Sequence, residues 1–284
     1  MSNTDISVAF IKQFESEVHL AYQQQGTMLR NMVRTKNNVK GASTTFQLIG
    51  KGTATTKTRH GTISPMNLEH SKVEVTLVDS YAGEWVDALD ELKTNINERD
   101  AVAKSGAYAL GRKTDDHIIG ALDDGTNIVG DGTTALTKAL VLEAFAKFNE
   151  NEVPDDGERY AVVSPLQWND LLNIPEFSDS DYVDDKPFMK GRECRKWLGI
   201  NWCMHTGLPV QEVTSGQGDN AITTNVRSAF LFHKTAIGFA SGQDVKTDIT
   251  WHGDHAAHFI NNMMSQGAGL IDNDGVIVIK TKES

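Results

Sequence analysis

Cysteine is scarce in this chain: two residues of 284, Cys194 and Cys203. Two cysteines cannot build a disulfide framework, and no Cys-x-x-Cys pair offers half of a structural zinc site. The chain therefore reads as reduced, cytosolic and dependent on its hydrophobic core, which a polypeptide of this length can bury without staples. Long apolar runs are missing too. None approaches the roughly 18 residues that would span a bilayer. The N-terminus, MSNTDISVAFIKQFESEV, carries acids where a secretory signal has an apolar h-region. Aromatic side chains make up 7% of the chain, and the stretch from Arg30 to Leu68 holds one, Phe46. That is too few for a base-stacking platform.

The same stretch lacks acids altogether, while it holds seven bases: Arg30, Arg34, Lys36, Lys40, Lys51, Lys57 and Arg59. The whole chain has 27 Lys+Arg against 38 Asp+Glu. Residues 1–80 are net positive, so the acidity belongs to the remainder. A basic stretch ahead of an acidic body fits either a polyanion or the acidic surface of another copy of the same chain.

Residues 5–34 are predicted as an amphipathic helix broken or bent at Gly26, an arm too poor in large core residues to form its own globule. Residues 37–68 alternate Gly and Asn with short Thr-rich stretches, which predicts a hairpin-like excursion. A two-stranded ribbon is marginal in water, so this one should gain its order from another subunit. Val73, Val75 and Leu77 alternate with polar residues as a strand returning to the body. Residues 83–92 read as a short helix with Trp85, Val86, Leu89 and Leu92 inward. Residues 96–122 are the strongest helix, with an Asn95–Glu98 capping box and a narrow face of Val102, Ala103, Ala107, Leu110, Thr114, Ile118 and Leu122. It is a spine roughly 40 Å long. A Gly/Asp/Thr loop over 123–135 separates it from an α+β run: helix 136–148, strand 160–163, a helix begun by Pro165, an acidic loop over 176–185 and strand 200–204. A polar loop at 214–220 follows. Strands at 229–233, 237–240, 245–251 and 276–279 close the chain, the last after an Asn273-Asp274-Gly275 turn.

No catalytic constellation emerges. Gly130-Asp131-Gly132-Thr133-Thr134 could cradle a phosphate on backbone N–H groups. No Walker or dinucleotide motif accompanies it, and an inter-element turn is the preferred reading. His252, His255 and His258 stand at three-residue spacing around Asp254, but no Glu occupies the zincin position; they are read as a structural or solvated group. Bases near Cys194 could lower a thiol pKa, yet Cys203 reads as part of a buried strand. Acid pairs such as Asp115-Asp116 read as solvated edges. No metal and no cofactor is expected, and no enzymatic activity.

The element order, together with the segments FESEVHLAYQQQGTMLRNMVRTKN, YAGEWVDALDELKTNINERDAVAKSGAYALGRKTDDHIIGAL, SAFLFHKTAIGFASG and GAGLIDNDGVIVIKTKE, resembles the major capsid proteins of tailed double-stranded DNA phages, which have the Hong Kong 97 type fold. The resemblance spans nearly the whole chain. It implies an α+β fold with an N-arm (1–38), an extended E-loop (39–80), a P-domain around the spine helix (81–135), an A-domain (136–235) and C-terminal strands completing both domains (236–284). It also implies self-assembly into pentamers and hexamers of an icosahedral head, built in the host bacterial cytoplasm. Expected partners are packaged DNA held by nonspecific contact, a separate scaffolding protein (since no long scaffolding domain precedes the arm), a portal and a decoration protein. No membrane is involved. On this reading Phe46, Leu48, Ile49, Lys51, Lys57, Arg59 and Ile63 contact a neighbouring subunit, and Arg30, Arg34, Lys36 and Lys40 serve the arm or face DNA. The alternative is a cytosolic nonspecific nucleic-acid binder using residues 30–60.

Overall fold

In a computed structural model of the chain, residues 23–89, 97–178, 194–215 and 222–283 are described. Their elements, in chain order, are β1 (Arg34–Lys36), β2 (Ser43–Ile49), β3 (His70–Thr76), β4 (Val78–Asp87), α1 (Glu98–Asp123), β5 (Ile128–Val129), α2 (Lys138–Glu150), β6 (Arg159–Val163), α3 (Pro165–Leu172), α4 (Pro175–Ser178), β7 (Arg195–Trp197), β8 (Ile200–Met204), β9 (Val210–Ser215), β10 (Ile222–His233), β11 (Ile237–His252), β12 (Ala257–Leu270) and β13 (Val276–Lys282).

The run Ala229-Phe230-Leu231-Phe232 has no polar residue to show to water, and β10 accordingly lies inside a seven-stranded sheet. The order is β5-β13-β10-β6-β8-β7, with β9 also paired to β10. Alternation along the strands divides the apolar side chains between two cores. Ala229, Leu231, Ile277, Ile279, Ala161 and Val163 pack with Val141, Ala144 and Phe148 of α2 and Trp168 of α3. Phe230, Phe232, Val276, Val278 and Val162 pack on the opposite face with Ile118 and Leu122 of α1 and with Leu29 and Val33 of the arm. A second, four-stranded sheet, β1-β11-β12-β4, carries α1 across β12 and β4. The spine helix thus touches both sheets. Its 26 residues span about 39 Å.

Several elements differ from the sequence reading. The helix expected over 5–34 is absent from residue 23 onward, where the chain makes one turn of 3₁₀ helix at Arg30–Met32 and then β1; residues 1–22 lie outside those described. Of the helix expected over 83–92, residues 83–87 are the end of β4, residues 88 and 89 are helical, and residues 90–92 lie outside those described. Cross-strand pairing of β4 with β12 alternates the two faces, burying Val86 and leaving Trp85 exposed. Leu89 is exposed and Leu92 lies outside the described residues. The 123–135 loop contains β5, parallel to β13. The N-cap of α1 is Asn97, whose side chain accepts from the Asp100 N–H, not an Asn95–Glu98 box. The expected start at Pro165 is present, with Ser164 and Gln167 forming a reciprocal capping box.

The two cysteines are paired, contrary to the expectation of a reduced chain. β7 and β8 form an antiparallel hairpin turning at Leu198 (φ 52°) and Gly199 (φ 73°), both in the left-handed region that a two-residue type I′ turn requires. Cys194 and Cys203 stand opposite each other one step beyond the Arg195–Trp202 pair, with Cα atoms 4.3 Å apart. Symmetry about the turn, rather than any spacing motif, brings them together.

Candidate assembly surface

The basic excursion is a ribbon with a fixed root and a bare tip. β2 and β3 pair antiparallel from Ser43–Thr76 to Ile49–His70. At the root Phe46 is 2% exposed and packs with Val75, Ala240 and Ile271. Phe46, expected to contact a neighbouring subunit, packs its ring inside its own chain. Leu48 is half-buried against the same cluster. Beyond Ile49 one further backbone bond, from the Gly50 N–H to Glu69 O at 2.8 Å, closes the ladder, and residues 50–69 form neither helix nor strand. There Ile49, Ile63, Met66 and Leu68 are exposed, Ile63 to 76%, alongside exposed Lys57 and Arg59. Lys51 leans instead on its own chain, with Nζ 3.1 Å from Glu152 Oε2 and both side chains largely in water.

The bases assigned to the arm or to DNA are partly committed within the chain. Arg30 pairs with Asp244 at 2.9 Å and lies over the Phe239 ring. Arg34 lies over Phe46, 5.6 Å from the ring centroid, and Lys36 Nζ donates to Thr44 Oγ1 at 2.7 Å. Cation–ring contacts of this kind contribute about 0.5–1 kcal/mol at exposed sites. These three side chains brace the arm and the ribbon root. Lys40 is exposed.

Asp115, expected at a solvated edge, is the most buried carboxylate among the described residues. It is 0% exposed. Its Oδ1 accepts from Thr27 Oγ1 (2.5 Å) and from the backbone N–H groups of Met28 (3.1 Å) and Leu29 (3.1 Å). Its Oδ2 accepts from Gln24 Nε2 (2.5 Å) and His205 Nε2 (3.1 Å). The Gly207 N–H donates to His205 Nδ1 at 3.0 Å, so Nε2 carries the proton that Asp115 receives. One carboxylate thereby joins the arm, the spine helix and the residue following β8. Burial pushes the Asp115 carboxyl up, but the hydrogen bonds from His205, Thr27, Met28 and Leu29 outweigh it and hold the pKa below the usual 3.8. One turn earlier the arm backbone lies so close to α1 that a Cβ on Gly111 would stand 2.7 Å from Gly26. Gly111, Asp115, Ile118 and Leu122 form one helical stripe, the only sequence signal that Asp115 faces inward.

The motifs weighed for chemistry make contacts within the chain. Asp131 caps its own turn, accepting from the Thr133 N–H and Oγ1. His252 ends β11 and His255 lies in the following turn, both with their rings against Trp85, while His258 lies against Trp251. Among the described residues no three His, Cys, Asp or Glu side chains are placed to share a metal. None of their helices is long and apolar enough to cross a membrane.

Comparison with known proteins agrees with this architecture. A capsid chain of cyanophage P-SCSP1u superposes with a TM-score of 0.70 at 16% identity, covering 97% of this chain and 94% of that one. A chain of Mycobacterium phage Che8 gives 0.71 at 18% identity, covering 95% and 97%. The capsid of Helicobacter pylori bacteriophage KHP30 gives 0.71 at 10% identity over 100% of both chains. At such identities these show the fold, which is that of tailed-phage capsids of the Hong Kong 97 type. No curated sequence matches. The phage capsid protein family model matches residues 6–283, and the chain belongs to that family: it is a structural protein of the phage head.

Proposed function

We propose that this chain is the major shell-forming subunit, assembling into pentamers and hexamers by laying the tip of its ribbon on a neighbouring copy. The observation that carries this is the contrast within one element. The root of the ribbon is packed at Phe46 and Val75, whereas its tip carries Ile49, Ile63, Met66 and Leu68 into water with no fold of its own. Exposed apolar groups beside Lys57 and Arg59 suit an acidic partner, and residues 81–284 of another copy supply one. On this reading residues 1–38 act as the N-arm, 39–80 as the E-loop, 81–135 as the P-domain, 136–235 as the A-domain, and 236–284 complete both domains. Packaged double-stranded DNA, a scaffolding protein, a portal and a decoration protein are its further partners; of the four bases assigned to the arm or DNA, Arg34, Lys36 and Lys40 are exposed, and Arg34 and Lys36 also contact Phe46 and Thr44.

Sedimentation and electron microscopy of the expressed chain across a concentration series test the proposal. Pentamers, hexamers or closed shells above a threshold concentration are expected. A chain that stays monomeric at all concentrations, with or without scaffolding protein, overturns it.

A further inference from the structure

Upstream of the Leu29 and Val33 core contacts, the arm is held by one buried carboxylate that belongs to two parts of the body at once. Asp115 stands on α1, which lies across the four-stranded sheet. His205 follows β8 of the seven-stranded sheet, and its backbone N–H donates to Val163 O of β6. Gln24, Thr27, Met28 and Leu29 of the arm complete the set. Arg112, one turn away, donates to Gln23 Oε1 at 2.8 Å and Gln24 O at 3.4 Å, holding the arm backbone from the other side.

We infer that Asp115 is the positioning residue of the assembly arm: the catch that fixes where the arm leaves the body and so where it can meet a neighbouring copy. This rests on the proposed shell-forming role. The chemistry fits a catch better than a core contact. Every arm group on Asp115 is a hydrogen-bond donor, two of them backbone amides whose direction is fixed by the path of the chain. The apolar contacts of the arm begin at the last residue of the catch, Leu29, and continue at Val33. Without the carboxylate, residues 23–28 keep the Arg112 contacts and the close approach of Gly26 to Gly111 but lose the five hydrogen bonds that converge on Asp115 from Gln24, Thr27, Met28 and Leu29, whereas the two cores retain their apolar packing.

Two variants test this in the full chain. Asp115→Asn removes the charge from the body side. The double variant Gln24→Ala/Thr27→Val removes two donors from the arm side and leaves the body untouched, so it decides the matter should Asp115→Asn fail to fold. Hydrogen exchange of the isolated chain reads the catch directly. The Met28 and Leu29 amides are expected to exchange about 10- to 100-fold faster in either variant, with amides of β10 and β13 unchanged. Closed-shell yield should fall in both variants. Thr27→Ser, which keeps the hydroxyl donor, should restore slow exchange and shell yield. Unaltered protection of Met28 and Leu29, or wild-type shell yield in both variants, overturns the inference. A wild-type chain that forms no shells defeats the ribbon reading instead, and the exchange data still decide whether Asp115 is the catch.

Discussion

A carboxylate stripped of water needs hydrogen-bond donors for its lone pairs, and at Asp115 most of them come from residues some ninety positions away. This is why the sequence reading placed it with Asp116 on a solvated edge: nothing within a helical turn announces the arm. The consequence is a dependence on acid. A carboxyl held below its ordinary 3.8 in the folded state stabilises that state above this value, and the contribution is lost as pH falls through the lower, folded pKa. The groups facing Asp115 are His205, the arm donors and, one turn away, Arg112. Acidification below about pH 4 should therefore release the arm before the body melts. Hydrogen exchange of Met28 and Leu29 against β13, followed from neutral to acid pH, checks this. Simultaneous loss of both would show that arm and body unfold as one unit.

At the scale of elements, what was legible followed from periodicity. The spine helix, the strands at Ala229–Phe232 and Val276–Ile279, and the Thr-rich ribbon each carry a local pattern that their tertiary setting reinforces. The end of β4 carries Trp85 and Val86 at a spacing that with Leu89 suits a helix, whereas pairing with β12 sets Trp85 and Val86 on opposite faces of a strand. β12 itself went unseen. It buries Asn262 and Gln266 among its apolar residues, satisfied by Thr247 and Thr114, so its sequence shows no clean alternation. The ribbon divides at Ile49, and two substitutions separate its halves. Phe46→Ala empties the root and should cost about 3–5 kcal/mol locally, seen as faster proteolysis between residues 43 and 76 in the lone chain. Ile63→Ala removes only exposed surface; it should leave the monomer's stability within about 0.5 kcal/mol yet raise the concentration needed for shells. The β7–β8 hairpin gives a third test. A reducing cytoplasm keeps thiols apart, so Cys194 and Cys203 should titrate as free in cell extract and as paired in particles exposed to air. Reduction of those particles should lower hairpin stability by at most about 3 kcal/mol.

For the whole molecule, the decisive quantity is a small contact energy repeated many times. The chain is net −11 while residues 30–68 hold no acid, so that stretch is where one copy attracts the acidic remainder of another. Exposed ion pairs contribute only about 0–1 kcal/mol each, and Lys51 is already engaged with Glu152 of its own chain. Apolar burial at Ile63, Met66 and Leu68 should thus supply most of the affinity, with charge setting register. Replacing Lys51, Lys57 and Arg59 together by Glu turns attraction into repulsion at each contact. At roughly 2–3 kcal/mol per contact, the threshold for assembly should rise about 30- to 150-fold, with the monomer's exchange protection intact. Added salt should raise the wild-type threshold and lower that of the triple variant, since screening weakens attraction in one and repulsion in the other. The opposite salt response of the two chains separates ribbon-to-body docking from nucleic-acid binding, because a phosphate partner would leave the shell threshold of purified, nucleic-acid-free protein indifferent to the substitutions.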